Sequence, residues 1–338
     1  MRLFLKFKVL LSTVLFTACM QSTPVMSTSD APEWVQSEPE MYPNFKYLSA
    51  TGSASKAEQA KARALSNLAK IFEVQIREVS NTHSDVQSSK KDGVETVKQS
   101  NRIASTVNLK TDKMVQGARI AEQWQNSADL THHALAVLDR THAGNNIRSE
   151  MKRLDSETEF ALNQQPGRSD PLLKIADLNK ANILQQDRQA LQKTLKIIDV
   201  KGQGVSSRWN SAELDEQLQK SLRALPLRTS VTVDDVDGLN NILQGAASDA
   251  GFNVGSNGYL LTASLESNEP LKKDDWYWLR GTLKLQFLAQ DGVTVLGYES
   301  WPLKVSAGAI SQLQSRMRKA ADKKLKGELF NSMLRFAN

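Results

Sequence analysis

Cys19 is the only cysteine in 338 residues, so this chain can close no disulfide within itself. Its fold must rest on apolar burial and hydrogen bonding, and the spacing of apolar residues therefore decides the architecture. Forty per cent of the residues are hydrophobic, enough for globular cores. At about 100–200 residues per domain, the length suggests two domains or three.

The first residues address the compartment. Arg2, Lys6 and Lys8 form a positive start, and Val9 to Thr17 is an apolar stretch of signal-peptide length, too short to span a bilayer. The following Leu15-Phe16-Thr17-Ala18-Cys19 resembles a lipobox, the processing signal of bacterial lipoproteins, with Phe16 where an aliphatic residue is usual. The resemblance implies removal of residues 1–18 and acylation of Cys19, palmitate included. An unacylated lone thiol would be reactive and unpaired in an oxidising periplasm. Each buried CH₂ contributes about 0.8 kcal/mol, so several acyl chains on one residue hold firmly. Met20 stands where inner-membrane lipoproteins commonly carry Asp, which implies the outer membrane, with the bulk facing the periplasm. Residues 19–40, rich in Ser, Thr, Pro and Gln, read as a flexible tether.

The formal charge is +6, but the three leader cations account for half of it. A remainder near +3 is no electrostatic footprint for nucleic acid.

Residues 41–145 read as a small α+β domain. Tyr47 to Gly52 is a strand entering a turn, and Ser55-Lys56-Ala57-Glu58 has the capping-box pattern. Ala57, Ala60, Ala64, Leu68 and Ile71 then form one helical face, small enough at its start to lie close on a sheet. Phe72, Val74 and Ile76 alternate as in a strand, and residues 81–101 are a polar loop or hairpin tip. Gly117–Trp124 and His132–Arg140 read as strands around a turn at Ser127-Ala128-Asp129. Trp34, the Gly52-Ser53-Ala54 turn, the alanine-faced helix and the closing "Ile120…Trp124…Ala134-Leu135-Ala136-Val137-Leu138-Asp139-Arg140" together resemble the Lpp-twenty family of small bacterial envelope lipoproteins. The resemblance spans residues 32–160. It implies a helix on an antiparallel sheet, and its members include surface-exposed and flagellum-associated proteins.

Residues 146–200 carry helical periodicity in two runs, Asn146–Leu162 and Pro171–Ile198, broken at Asn163–Gly167. They read as a helical arm, with a boundary at Lys201–Gly204. The remainder, 201–338, reads as an α/β domain. Leu214, Leu218, Leu222 and Leu225 form a stripe with Ser211 as its cap; Leu227–Val233 is a strand; Leu239, Ile242, Leu243, Ala246 and Ala250 form a second stripe closed by Gly251. Tyr259–Leu265 and Trp276–Ala289 are strands, Asp291-Gly292 is a hairpin turn, and Val293–Val305 returns. A last helix from Gly308 turns Ile310, Leu313, Met317, Ala321, Leu325 and Leu329 inward. The order of elements around Gly251-Phe252-Asn253-Val254 and Leu260–Leu265 loosely resembles outer-membrane lipoproteins that activate penicillin-binding proteins or form the curli channel. The whole is α+β: two small helix-on-antiparallel-sheet lobes joined by the arm.

Few residues suggest chemistry. His132 and His133 are adjacent on a strand and point to opposite faces; with His83 and His142 they form no ligand spacing for a metal. Gly202-Gln203-Gly204-Val205-Ser206-Ser207 lacks the final Gly and the Lys of a phosphate loop and reads as a linker. Asp234, Asp235 and Asp237 could hold a cation, but such a run more often starts a helix. Arg316, Arg318, Lys319, Lys323, Lys324 and Lys326 read as a solvated helix face, with contact to anionic envelope polymers as the alternative. Trp276, Trp278 and Trp301 are the candidate partner surface: if Tyr277, Leu279, Leu283, Leu285 and Phe287 face the core, Trp276 and Trp278 stand outside. The alternative is that Lys272, Lys273 or Arg280 covers them.

The expectation is a non-catalytic, lipid-anchored scaffold or adaptor without cofactor, bound to the bilayer through Cys19 and to a protein partner in the envelope, in a flagellar setting. A regulatory partner of a peptidoglycan synthase is the alternative. An envelope hydrolase comes last, because no nucleophile or acid–base set assembles from the sequence.

Overall fold

The computed structural model describes residues 30–71, 117–167 and 169–336. Cys19, His83, the strand expected at Phe72–Ile76 and the polar segment 81–101 lie outside them. The described residues fold as α+β around two sheets.

The first sheet has three strands, β1 (Tyr47–Ala54), β2 (Arg119–Gln125) and β3 (His132–Asp139), in the order β1-β3-β2, all antiparallel. The β2–β3 turn closes with the Asn126 N–H donating to the Thr131 carbonyl, and Leu130 takes a left-handed φ of 58°. Helix α1 (57–71) lies on one face of this sheet. Its first bond runs from the Ala60 N–H to the Lys56 carbonyl. The helix therefore starts one residue later than the capping-box reading, which makes Ser55 the cap. Ala60, Ala64 and Leu68 are fully buried as the helical face predicts. The other face of the sheet is covered by residues expected in the tether. Glu33–Val35 form a 3₁₀ turn, and Trp34 is buried with Leu135 and Val137 against Tyr42 and Trp124. The fold thus reaches further toward the N-terminus than composition suggests.

Helix α2 (Arg140–Gln164) follows β3 directly, six residues before the expected start. The Asp139 side chain caps it by accepting from the His142 N–H at 2.9 Å. A 3₁₀ turn at Gln165–Gly167 leads to α3 (Pro171–Ile198), whose Asp170 cap and first-turn proline are a strong start signal. The two helices pack as an antiparallel hairpin, but it is not a spacer. Leu172, Ile175 and Leu178 of α3 belong to the larger core, while Ala190, Leu191, Leu195 and Ile198 belong to the smaller. One helix thus supplies both cores.

The second sheet has five strands: β4 (Leu227–Asp234), β5 (Tyr259–Ser267), β6 (Leu271–Lys273), β7 (Trp276–Leu288) and β8 (Val295–Ala307). β7 is central and pairs antiparallel with β5, β6 and β8. Against the antiparallel expectation, β4 and β5 are parallel. Parallel neighbours need a crossover, and helix α5 (Leu239–Asp249) supplies it. Gly251 closes α5 at φ 92°, as its position in the sequence predicts. Before β4, helix α4 (Ser211–Ala224) is capped by Asn210, not Ser211: the Asn210 Oδ1 accepts from the Ala212 N–H at 3.0 Å. The β7–β8 loop is longer than a two-residue Asp-Gly hairpin, since the closing bond runs from the Ala289 N–H to the Thr294 carbonyl. The last helix, α6 (Leu313–Phe336), buries Leu313, Met317, Ala321, Leu325 and Leu329. Ile310 stays in the 3₁₀ turn before it and is exposed.

Candidate interaction surface

The face of the second sheet that meets α5 and α6 is apolar, as the alternation of β7 predicts. Leu279, Leu283, Leu285 and Phe287 are buried there. Strand register then places the tryptophans. Trp301 of β8 is paired with Leu283, and directly opposed residues in an antiparallel pair share a face. Trp301 is therefore in the core, 9 % exposed, with the Lys324 Nζ of α6 at 5.5 Å from its ring centroid. This corrects its placement in the candidate surface. The parity of β8 follows from the four-residue loop and a register shift between Phe287 and Leu288, neither of which is visible in the strand's own alternation.

Trp276 and Trp278 point to the opposite face. Trp276 is 48 % exposed. Trp278 is half-buried beneath Lys304, whose Nζ sits 4.3 Å from the ring centroid, a cation–π contact from a residue outside the expected set. Lys272 instead lies 5.7 Å from the Tyr277 ring. The β6–β7 hairpin brings Leu271 opposite Trp278 and Lys273 opposite Trp276, and Leu271 is 62 % exposed. Its tip, Asp274-Asp275, holds two consecutive left-handed residues at φ 50° and 61°. The result is a short ribbon that presents one apolar and cationic face.

The remaining sequence candidates resolve into structural roles. Asp234 ends β4 and closes the turn that leads to α5, whose N-cap is Gly238: its Oδ2 accepts from the Gly238 and Leu239 N–H groups, both at 2.8 Å, and its Oδ1 from Val236 at 3.2 Å. Burial pushes the Asp234 pKa up, but the backbone donors of Leu239, Gly238, Val236 and Asp237 outweigh it and hold the carboxyl below its ordinary value. Asp235 accepts from the Ser267 N–H at 2.6 Å. Among the described residues no cluster of His, Cys, Asp and Glu is placed to hold a metal, and none of their helices is long and apolar enough to cross a membrane. On α6, Arg316 donates to the Ser306 carbonyl, Arg318 to the Val236 carbonyl, and Lys326 pairs with Asp322, so much of the basic run is tied to the fold. His133 packs on Trp124 at 5.3 Å between ring centroids.

Two features carry weaker sequence signals. The first is a buried polar junction. Arg188 of α3, 3 % exposed, pairs with Asp155 of α2 at 2.7 Å and donates to the Ser206 carbonyl at 2.8 Å. Gln185 donates to Thr158 at 2.9 Å and accepts from Ser207 at 3.0 Å. The supposed linker 202–207 is thereby strapped along the arm. The second is an open cleft of about 510 Å³ beside β1, lined by Trp34, Glu38, Asn44, Ser49, Thr51 and Arg140 among others. Arg140 donates from its far side to the Ile197 and Ile198 carbonyls at 3.1 and 2.8 Å, a cation on a helix C-terminus. Burial lowers its pKa below the usual guanidinium value.

Residues 32–139 match the LPP20 lipoprotein family, the family the sequence resembles, over a shorter stretch than the expected 32–160. Among curated proteins none matches. Of solved structures, the secreted protein HP1454 from the human pathogen Helicobacter pylori aligns over 86 % of this chain and 97 % of its own, at 13 % identity and a TM-score of 0.39. A minor lipoprotein from Acinetobacter baumannii aligns over 32 % of this chain and 89 % of its own, at 14 % identity and a TM-score of 0.25.

Proposed function

We propose that this chain, which carries an LPP20 lipoprotein region at residues 32–139, is a non-catalytic adaptor of the bacterial envelope. It is anchored in the outer membrane by acyl chains on Cys19 and binds a protein partner through the β6–β7 ribbon. The lipobox-like Leu15–Cys19 and the family match support the anchor. The observation that carries the partner reading is the exposure of Trp276 and Leu271 beside Lys273 and Lys304, on the face of the sheet turned away from α5 and α6. Tryptophan is enriched at binding hot spots. The division into a lobe ending at residue 145, an arm to 200 and a lobe from 201 belongs to the same proposal, with segment 202–207 strapped to the arm.

Two measurements test it. Mass spectrometry of the mature chain gives a diacylated or triacylated Cys19 at its N-terminus; a free thiol or an intact Met1 refutes the anchor. Capture from detergent-solubilised membranes by the wild-type chain, but not by Trp276→Ser, identifies the partner and separates a flagellar from a wall-synthesis setting. Equal capture by both removes the ribbon from the reading.

A further inference from the structure

Between the buried Trp34 and strand β1 the chain bears two large apolar side chains in the open. Met41 is 77 % exposed and Phe45 is 70 % exposed. Both occupy the third position of a tight turn. The first turn is closed by the Tyr42 N–H donating to the Pro39 carbonyl, the second by the Lys46 N–H donating to the Pro43 carbonyl. Neither turn is loose. Tyr42 packs on the Trp34 cluster and meets Tyr47 edge-on at 5.3 Å, and Arg119 lies 5.8 Å from the Tyr42 ring centroid. Tyr42 and Tyr47 are drawn inward, while Met41 and Phe45 stay in the solvent.

We infer that Met41 and Phe45 insert into the interfacial layer of the bilayer that holds Cys19, so that the first lobe lies on the membrane. The inference rests on the anchor proposed above. Eleven Cα steps separate Cys19 from Asp30, a span of at most about 40 Å. The chain enters the fold at Trp34, in the cluster that Tyr42 and Tyr47 also join, so Met41 and Phe45 lie close along the chain to the point from which the anchor hangs and are kept at high local concentration beside the lipid. Apolar side chains at turn tips suit shallow insertion, while Lys46, Glu38 and Glu40 remain at headgroup level. Because the neighbouring charges are of both signs, insertion depends little on salt, unlike an ionic contact with a protein.

The full mature chain in vesicles of phosphatidylethanolamine and phosphatidylglycerol gives the test. With Cys19 acylated, Asn44→Cys provides a single free thiol for a fluorophore, and Lys220→Cys on α4 provides a distant control. Brominated lipid quenches the probe at position 44 and not at 220, at low and high salt. Met41→Ser with Phe45→Ser loses most of that quenching while the chain still floats with the vesicles; Phe45→Leu retains it. A chain that floats with equal quenching at both positions, or with quenching untouched by the serine pair, overturns docking alone. Shielding of position 44 only after membrane extract is added overturns it in favour of a protein contact. A chain that does not float removes the anchor and the argument from reach together.

Discussion

Gly52 and Ala64 touch backbone to backbone: a Cβ built on Gly52 would fall 2.2 Å from the Ala64 amide nitrogen and 2.6 Å from the Ala60 carbonyl oxygen. The alanine face of α1 exists to permit this approach, and Ala60 and Ala64 are buried at 1 % and 0 % exposure. Gly52→Ala is expected to cost about 1–3 kcal/mol through overpacking, measured by urea unfolding. Since the clash is with main chain, adding Ala64→Gly is expected not to restore the loss. Recovery in the double variant refutes the contact.

The Arg188–Asp155 pair makes a second expectation. Arg188→Ala leaves a carboxylate and two carbonyls facing a gap, and removal of one member of a buried pair costs about 3–5 kcal/mol. Asp155 keeps 27 % side-chain exposure, which places the loss toward the lower figure. Combining Arg188→Met with Asp155→Leu is expected to be less destabilising than Arg188→Ala alone. A double-mutant cycle read by denaturant unfolding decides, and a coupling energy near zero refutes the pair as a lock on segment 202–207.

How far the sequence speaks follows from the range of each interaction. The stripe Leu313, Met317, Ala321, Leu325, Leu329 is legible because one helix records its own environment at a period of 3.6. The same holds for the inner face of β7. Trp301 is not legible, because its face depends on a loop and a register shift in a neighbouring strand. The parallel β4–β5 pair depends likewise on where α5 packs. The junction in the arm does leave a trace. Gln185 and Arg188 fall on the same helical stripe as Ala181, Leu191 and Leu195, and polar residues on an apolar stripe announce a buried partner. What the stripe cannot name is that partner, since Asp155 is 33 residues away. Ser211 and Asn210 are both good caps, and only the closed bond to Ala212 distinguishes them.

Acid should weaken the turn before α5. The Asp234 carboxyl is held below its ordinary value by backbone donors, so its contribution to stability is present above the ordinary Asp range and is lost as pH falls through it toward the folded-state value. Asp234→Asn keeps acceptors for some of the N–H groups but cannot titrate. Asn and Asp accept comparably at such positions, so the substitution is expected to change stability by no more than about 0.5 kcal/mol at neutral pH and to flatten the pH dependence in acid. Unfolding curves for both chains, taken from neutral pH into the acid range, check this. Parallel curves for the two refute the role of the charge.

The tryptophans of the second sheet offer the sharpest contrast. Trp301 fills the space between Leu283 and α6 with Lys324 over its ring, so Trp301→Ala should cost about 3–5 kcal/mol. Trp276 stands in the open at the other face, and Trp276→Ser should change stability by no more than about 0.5 kcal/mol. Trp278→Ala should fall between them, because it loses both its half-buried packing and the contact with Lys304 at 4.3 Å. Capture of a membrane partner should follow the reverse order: abolished by Trp276→Ser in a fully folded chain, and preserved in Trp301→Ala at temperatures where that variant remains folded. Loss of capture in Trp301→Ala with intact capture in Trp276→Ser would place the contact on the α6 side of the sheet and refute the ribbon.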